Sequence, residues 1–284
     1  MENKPKRIII LGSGGFISSY VENELNERKI NYKAIPSSLL DLTSVNASEV
    51  LTQLLLPTDT ILFIAAKAPV KNERMFLTNL QICKTVCEAI QKVKIAHLIY
   101  LSSDAVYTDS ASPLNEYSDT EPSSLHGLMH LTREIMLKSI HHGPLCILRP
   151  TLIYGSKDPH NGYGPNKFIR LAKKNKEIEL FGKGEELRDH VWVKDVANII
   201  ILTIINQTNG VLNIATGKLY SFLDIVEIIK SNFKSKLKIV NLSRTGPLPH
   251  NGYRAFDTSN FQKIFPEFKY NNFKDLINKI GDEY

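Results

Sequence analysis

The stretch Ile8-Ile9-Ile10-Leu11-Gly12-Ser13-Gly14-Gly15-Phe16-Ile17-Ser18-Ser19 decides the fold. Four consecutive aliphatic residues make a strand buried on both faces, as in a parallel sheet covered by helices. The glycines that follow give a tight turn and leave backbone N–H groups bare enough for a pyrophosphate to approach. The helix expected from Phe16 points the positive end of its dipole at the same place. Outward from this turn the pattern repeats. Apolar runs at Tyr32–Ile35, Thr60–Ala65, His97–Leu101 and Leu145–Leu148 alternate with amphipathic runs at Phe16–Arg28, Val45–Leu56, Phe76–Lys92 and Leu125–Ile140. That alternation predicts a Rossmann-type doubly wound parallel sheet of the α/β class.

The 284 residues suit one α/β unit with a smaller attached lobe. The texture changes after Tyr154-Gly155. Ser156–Gly164 is rich in Gly, Pro, Asn and Asp and reads as a loop. Asn166–Lys176 reads as a basic helix and Ile178–Phe181 as a strand. Apolar periodicity returns at Val191–Ile205, and Val211–Ala215 reads as a core strand. The expected division is a dinucleotide-binding domain over 1–155, completed by about 191–216, with a smaller interleaved substrate-binding lobe over 156–190 and 217–284.

Hydrophobic residues at 43% and charged residues at 23% exclude disorder, collagen and coiled coil. Thirty-five Lys and Arg against 29 Asp and Glu leave a net charge of +6, which suits an anionic small molecule and is too diffuse for nucleic acid. Lys167, Arg170, Lys173, Lys174 and Lys176 read as a solvated helix face. Cys83, Cys87 and Cys146 form no CxxC pair and are expected to be reduced thiols. The most apolar later run, Ile199–Ile205, is broken by Thr203 and falls far short of the ~20 residues of a membrane span. The expectation is a soluble, cytoplasmic protein with no membrane contact.

A series of motifs in order then resembles one family. Gly12-x-x-Gly15-Phe16-Ile17 is similar to the cofactor turn of the extended short-chain dehydrogenase/reductases, the NAD-dependent epimerase/dehydratase group. Asp41-Leu42 resembles the acidic pair near the adenine. Ala65-Ala66 resembles the cofactor-lining alanines, and Asn79 stands where the family helix carries an asparagine. Tyr100-Leu101-Ser102-Ser103-Asp104-Ala105-Val106-Tyr107 resembles the catalytic strand, with Ser103 at the active hydroxyl. Leu148-Arg149-Pro150 through Tyr154-Gly155 matches the next strand and turn. Arg188-Asp189-His190-Val191-Trp192-Val193-Lys194-Asp195-Val196 resembles the substrate-lobe signature, and Asn213–Gly217 and Arg244-Thr245-Gly246 complete the order.

The resemblance implies NAD or NADP as cofactor, held by Gly12, Gly15, Phe16, Ile17, Asp41, Leu42, Ala65, Ala66, Asn79 and Pro150. It implies a nucleotide-sugar substrate, with Arg188 meeting the diphosphate through charge-assisted bonds and Arg254 and Asn166 as further contacts. It also implies a homodimer paired through the helices Phe76–Lys92 and Leu125–Ile140, with Leu128, Leu131 and Ile135 as an apolar seam.

The departures are specific. Where the family carries Tyr-x-x-x-Lys, this chain has His126-Gly127-Leu128-Met129-His130, with Glu121-Pro122 before it and Glu134 after it. Tyr163-x-x-x-Lys167 stands in the wrong lobe, with Pro165 inside it. Ser18 takes the place of the third glycine. Ile35-Pro36-Ser37-Ser38 lacks the acid expected for a ribose 2′-hydroxyl, so neither NAD nor NADP is indicated over the other. Ala105 replaces the acid that the family's dehydratases carry, which disfavours 4,6-dehydration.

Residues 126 and 130 lie on one face of a helix, and Leu128, Leu131 and Ile135 form a stripe roughly opposite. An imidazole titrates near pH 6.5 unaided, so His126 is a candidate proton carrier without a lysine beside it, with His130 holding a ribose or orienting His126. The spacing of His126, His130 and Glu134 also admits a metal reading, but no further ligand is in sight and no metal is expected. The catalytic set is therefore Ser103, His126 and His130. The leading expectation is an NAD(P)-dependent nucleotide-sugar enzyme of epimerase or reductase type. The alternative is a catalytically lapsed relative that binds dinucleotide or nucleotide sugar in a regulatory role.

Overall fold

The structure is a computed structural model that describes residues 5–233 and 237–280. Its first half alternates strand and helix: β1 (Arg7–Leu11), α1 (Phe16–Glu27), β2 (Tyr32–Ile35), α2 (Ala47–Leu54), β3 (Asp59–Phe63), α3 (Glu73–Lys92), β4 (His97–Leu101), α4 (Leu125–Ile140) and β5 (Leu145–Pro150). Then follow β6 (Leu152–Tyr154), α5 (Pro165–Lys173), β7 (Ile178–Phe181), β8 (Leu187–Trp192), α6 (Val193–Ile205), β9 (Gly210–Ile214), β10 (Leu219–Ser221), α7 (Phe222–Phe233), β11 (Ile239–Leu242), β12 (Tyr253–Arg254), α8 (Ser259–Ile264) and α9 (Phe273–Ile280).

The chain divides into two compact units. The first comprises 1–108, 118–150 and 196–214. It contains a six-stranded sheet in the order β2-β1-β3-β4-β5-β9, with every pairing parallel. Ile8 through Leu11 are wholly buried, as the unbroken aliphatic run requires. One layer of the core packs Ile9, Leu11, Ile61, Phe63, Leu98 and Tyr100 against α2, α3 and the C-terminal half of α4. Arg7 at the open end of β1 is held by a two-pronged bond to Asp59, at 2.8 and 2.6 Å.

The second unit comprises 109–117, 151–195 and 215–284. Its core joins α5, α7 and α9 through Phe168, Ile169, Phe222, Ile225, Ile229, Phe273 and Leu276. Strand β8 pairs with β6, β10 and β12, and β7 pairs with β11.

The boundaries differ from the expected ones. Residues 151–155 and 191–195 belong to the second unit because β6 pairs with β8. Residues 109–117 also join it, through backbone bonds from Leu114 N to Ala255 O and from Asp257 N to Leu114 O, at 2.8 and 2.9 Å. The apolar run Val191–Ile205 resolves into the end of β8 and the helix α6. Among the described residues no helix is long and apolar enough to cross a membrane.

Candidate functional site

In the first unit the chain leaves β1 for β2 on one side and returns to β3 on the other. Such a reversal opens a crevice at the C-terminal ends of the two central strands. Gly12, the first residue past β1, and Ala65, the second past β3, are in contact there. Gly12 has φ +98°, and a Cβ on it would lie 2.5 Å from Ala65 N, so only glycine lets the two backbones close up. Ser18 is buried where a third glycine was expected, and it does more than fill space. Its Oγ accepts the Gly15 N–H at 2.9 Å and its hydroxyl donates to Gly15 O at 3.1 Å. Gly15 N–H is therefore already spent. Phe16 and Ile17, which open α1, present the orphan amides of a helix start.

Ala65 is half-buried, while Ala66 and Lys67 are exposed. Asn79, expected among the cofactor contacts, lies on α3. It is wholly buried, its Oδ1 accepts Lys67 N–H at 2.9 Å, and its Nδ2 donates to Lys67 O at 3.0 Å and Met75 O at 2.9 Å. Its side chain holds the Ala65–Lys67 segment in place through Lys67. Asp41 is exposed, and its Oδ1 accepts from Thr43 N and Thr43 Oγ1, which holds its carboxyl below the usual range. Leu42 is buried, and its carbonyl accepts from Thr85 Oγ1. Pro150 ends β5 beside Ile214. Backbone contact at Gly12 and Ala65, an open turn at Gly14 and the N-terminus of α1 fit a dinucleotide pyrophosphate.

Ser103 follows the end of β4, and the first turns of α4 carry the two histidines. Ser103 Oγ accepts Ala105 N–H at 3.1 Å and so caps the short turn 104–106. Ser124 caps α4 by accepting Gly127 N–H. Gly127 presses the helix onto that turn, since a Cβ there would lie 2.0 Å from Ala105 O. His126 and Ser103 are thus presented by two segments in direct contact.

The two imidazoles stand edge to face, 4.8 Å apart. His126 Nδ1 faces the Val70 N–H at 3.5 Å. His130 is buried, and its Nδ1 lies 2.7 Å from the Tyr100 hydroxyl. Burial pushes the Tyr100 phenol well up and His130 well down, the latter helped by His126 and Arg133. Tyr100 therefore keeps its proton and His130 is neutral; with the phenol as donor to Nδ1, the ring carries its own proton on Nε2.

Beneath this pair lies Arg133, wholly buried and paired with no carboxylate among the described residues. Its guanidinium donates to Ala65 O at 2.8 Å and lies 4.3 Å from the Phe63 ring centre and 5.2 Å from that of Tyr100. Ring faces and a carbonyl stand in for an anion. Glu134 is spent elsewhere: it accepts from Ser102 Oγ at 2.6 Å and from Arg149 at 3.0 and 2.6 Å. Among the described residues no group of three His, Cys, Asp or Glu is placed for a metal ion. The histidine face of α4 turns inward, while Leu128 and Ile135 on the other face are 41% and 58% exposed.

In the second unit, Arg188 and Arg254 are register partners on β8 and β12, and both are buried. Arg188 donates to Glu186 at 2.9 Å. Arg254 donates to Asp109 at 3.0 Å. Asn166 is buried and organises the 155–158 turn, accepting Gly155 N–H and donating to Asp158 Oδ2 at 2.6 Å. Tyr163 packs against Phe168, Phe181 and Phe222.

Sequence reasoning missed Tyr100, Arg133, Asp109 and His250. Tyr100 stands inside a quoted motif, yet its bond to a helix thirty residues on has no local signature. Arg133 shares the i, i+4, i+7 face of His126 and His130, and that was the available signal.

The model of the NAD dependent epimerase/dehydratase family matches residues 8–215. A putative UDP-glucose 4-epimerase of Methanocaldococcus jannaschii is 28% identical over 256 residues, 78% of this chain and 81% of that protein. A trifunctional UDP-glucose 4,6-dehydratase/UDP-4-keto-6-deoxy-D-glucose 3,5-epimerase/UDP-4-keto-L-rhamnose-reductase of Arabidopsis thaliana is 27% identical over 266 residues. That match takes in 81% of this chain but spans only 40% of the plant protein. The fold is shared with a UDP-N-acetylglucosamine 4-epimerase from Methanobrevibacter ruminantium M1, solved with UDP-N-acetylmuramic acid. The TM-score is 0.85, with 24% identity and 98% of each chain covered.

Proposed function

Because the chain belongs to the NAD-dependent epimerase/dehydratase family, we propose that it is an NAD- or NADP-dependent enzyme acting on nucleotide sugars, of epimerase or reductase type. Its acid–base site is built on His126 and His130. When bound, the cofactor supplies the hydride acceptor or donor for a sugar carbon. Gly12 and the start of α1 hold its pyrophosphate. His126 carries the matching proton to or from the sugar oxygen, with the Ser103 hydroxyl as hydrogen-bond partner of that oxygen. His130 is held neutral by burial and in one orientation by Tyr100, which leaves its Nε2–H as a donor for a ribose hydroxyl. Arg188 and Arg254 take the substrate's diphosphate, and Asn166 keeps the neighbouring turn in place. The observation that carries this reading is the fixed Tyr100–His130–His126 arrangement at the end of β4. A polar group is buried and oriented there when an apolar one would pack at lower cost. The protein works as a cytoplasmic homodimer.

The test uses released nucleotide and turnover together. Denatured protein should yield NAD or NADP by mass, and a panel of UDP-, dTDP- and GDP-sugars should show conversion. His126→Phe should abolish conversion by a hundredfold or more, in the range of general acid–base loss, while cofactor stays bound. Conversion that survives this change would end the catalytic role of His126. A second reading rests on Val70. Its N–H faces His126 Nδ1, which favours a neutral ring with its proton on Nε2, a hydrogen-bond donor rather than a proton carrier. The chain would then bind cofactor and nucleotide sugar without converting them, as a regulatory protein. Bound cofactor with no conversion of any sugar in the panel would select it.

A further inference from the structure

The second unit holds a charge cluster that the sugar-nucleotide reading does not by itself explain. Asp109 Oδ1 lies 3.0 Å from Arg254 NH1 and 2.5 Å from His250 Nδ1, and those two nitrogens are 3.1 Å apart. One strand away, Glu186 holds Arg188 at 2.9 Å, and Arg188 Nε is buried with no partner among the described residues. His250 is carried on a turn in which it and Asn251 have left-handed backbone, φ +51° and +52°. Two buried guanidinium groups are therefore each capped by a carboxylate, with one imidazole wedged against one of the caps.

The charges sum to zero: Arg188 and Arg254 against Glu186 and Asp109, with His250 neutral. At 2.5 Å from a carboxylate oxygen Nδ1 carries a proton, and when the ring is neutral its Nε2 is bare. Burial, then the two arginines, keep the ring below its ordinary value, with only Asp109 opposing. Among the described residues, the charged groups that face His250 are Asp109 from segment 109–117, Arg188 from β8 and Arg254 from β12.

Resting on the nucleotide-sugar reading, we propose that Asp109 and Glu186 are stand-in anions for the substrate diphosphate, and that His250 takes up a proton when the diphosphate replaces them on the arginines. A doubly charged diphosphate entering a neutral cluster leaves two negative charges in excess. His250 is the one group of the cluster whose ordinary range lies near neutral pH, so it is the one able to offset a charge there. The proton comes from solvent onto Nε2, and no bond other than N–H forms.

The probe must bring no proton of its own. In a sugar nucleotide both phosphates are diesters, without the second ionisation near 6 of a phosphate monoester. Purified wild-type protein is titrated with UDP-, dTDP-, GDP- and ADP-glucose by calorimetry near pH 7, in buffers of different ionisation enthalpy. At least one should bind with uptake of a sizeable fraction of a proton. Its affinity should rise as pH falls from 8 to 6, by up to about tenfold per unit in the limit of one full proton. His250→Gln should still bind, with no uptake and a flat pH dependence. Asp109→Asn should bind several-fold tighter, because the competing anion is gone. Binding without uptake, uptake that persists in His250→Gln, or weaker binding by Asp109→Asn would overturn the proposal while leaving the nucleotide-sugar reading in place. Failure of all four sugar nucleotides to bind would remove both.

Discussion

Tyr100 and His130 are coupled tightly enough that changing one resets the other. A buried Nδ1 that loses its donor costs about 1–3 kcal/mol. Tyr100→Phe should therefore lower stability by that amount in urea, and it should release the His130 ring from a single tautomer. Nitrogen chemical shifts of the imidazole report the tautomer directly, and an unchanged spectrum would show that Tyr100 does not set it. His190 in the second unit makes a pH prediction. Burial, reinforced by Arg188, pushes it to about 3. The unfolded chain binds a proton near 6.5, so stability is fully present above that value and is lost as pH falls from 6.5 towards 3. At the low end the loss is about 5 kcal/mol. The ring packs between Phe222 and Phe273, at 5.9 and 6.4 Å. His190→Phe should flatten the fall in denaturant midpoint between pH 6.5 and 4, and an equally steep fall would move the cause elsewhere. Neither environment was legible beforehand. Each depends on which side chains a sheet and a helix bring together, and local spacing carries no record of that.

At the scale of elements, the first half of the fold was legible because its strands are short, largely apolar runs and its helices amphipathic ones. Tyr32–Ile35, His97–Leu101, Leu125–Ile140 and Ile178–Phe181 have the expected limits. The excursion 109–117 was not legible, because its place comes from one bridge, Leu114 with Phe256, between residues far apart in sequence. Much of the region after Gly217 was opaque for the same reason: β10 and β12 are three and two residues long, too short for a period. The seat of α4 depends on Gly127. An added methyl would meet Ala105 O at 2.0 Å, and that neighbour is backbone. Gly127→Ala must push the helix start away from the 104–106 turn. Overpacking of this kind costs about 1–3 kcal/mol or more, and it also separates His126 from Ser103. Conversion should fall far more than the stability loss alone explains, with cofactor still bound. A variant with normal conversion would show that the close approach of helix and turn is not needed.

For the molecule as a whole, the open question is what covers the outer face of α3 and α4. The two helices pack on one another in the first unit, and they leave Leu77, Leu128 and Ile135 at 62%, 41% and 58% exposure. The inner face of α4 buries Met129, His130, Arg133, Glu134 and Leu137, while Leu128 and Ile135 are left outside. Single exposed leucines need no explanation, but several on neighbouring helices do. A second copy presenting the same face would bury each of them twice over, at about 1.5–3 kcal/mol for each side chain fully covered. Such an interface maps onto itself, as a two-fold pairing requires. Sedimentation should show a dimer at micromolar concentration. The double change Leu128→Glu with Ile135→Glu should give a folded monomer, because it places four carboxylates across the axis. A wild-type protein that sediments as a monomer at that concentration would leave the seam without a partner and refute the homodimer.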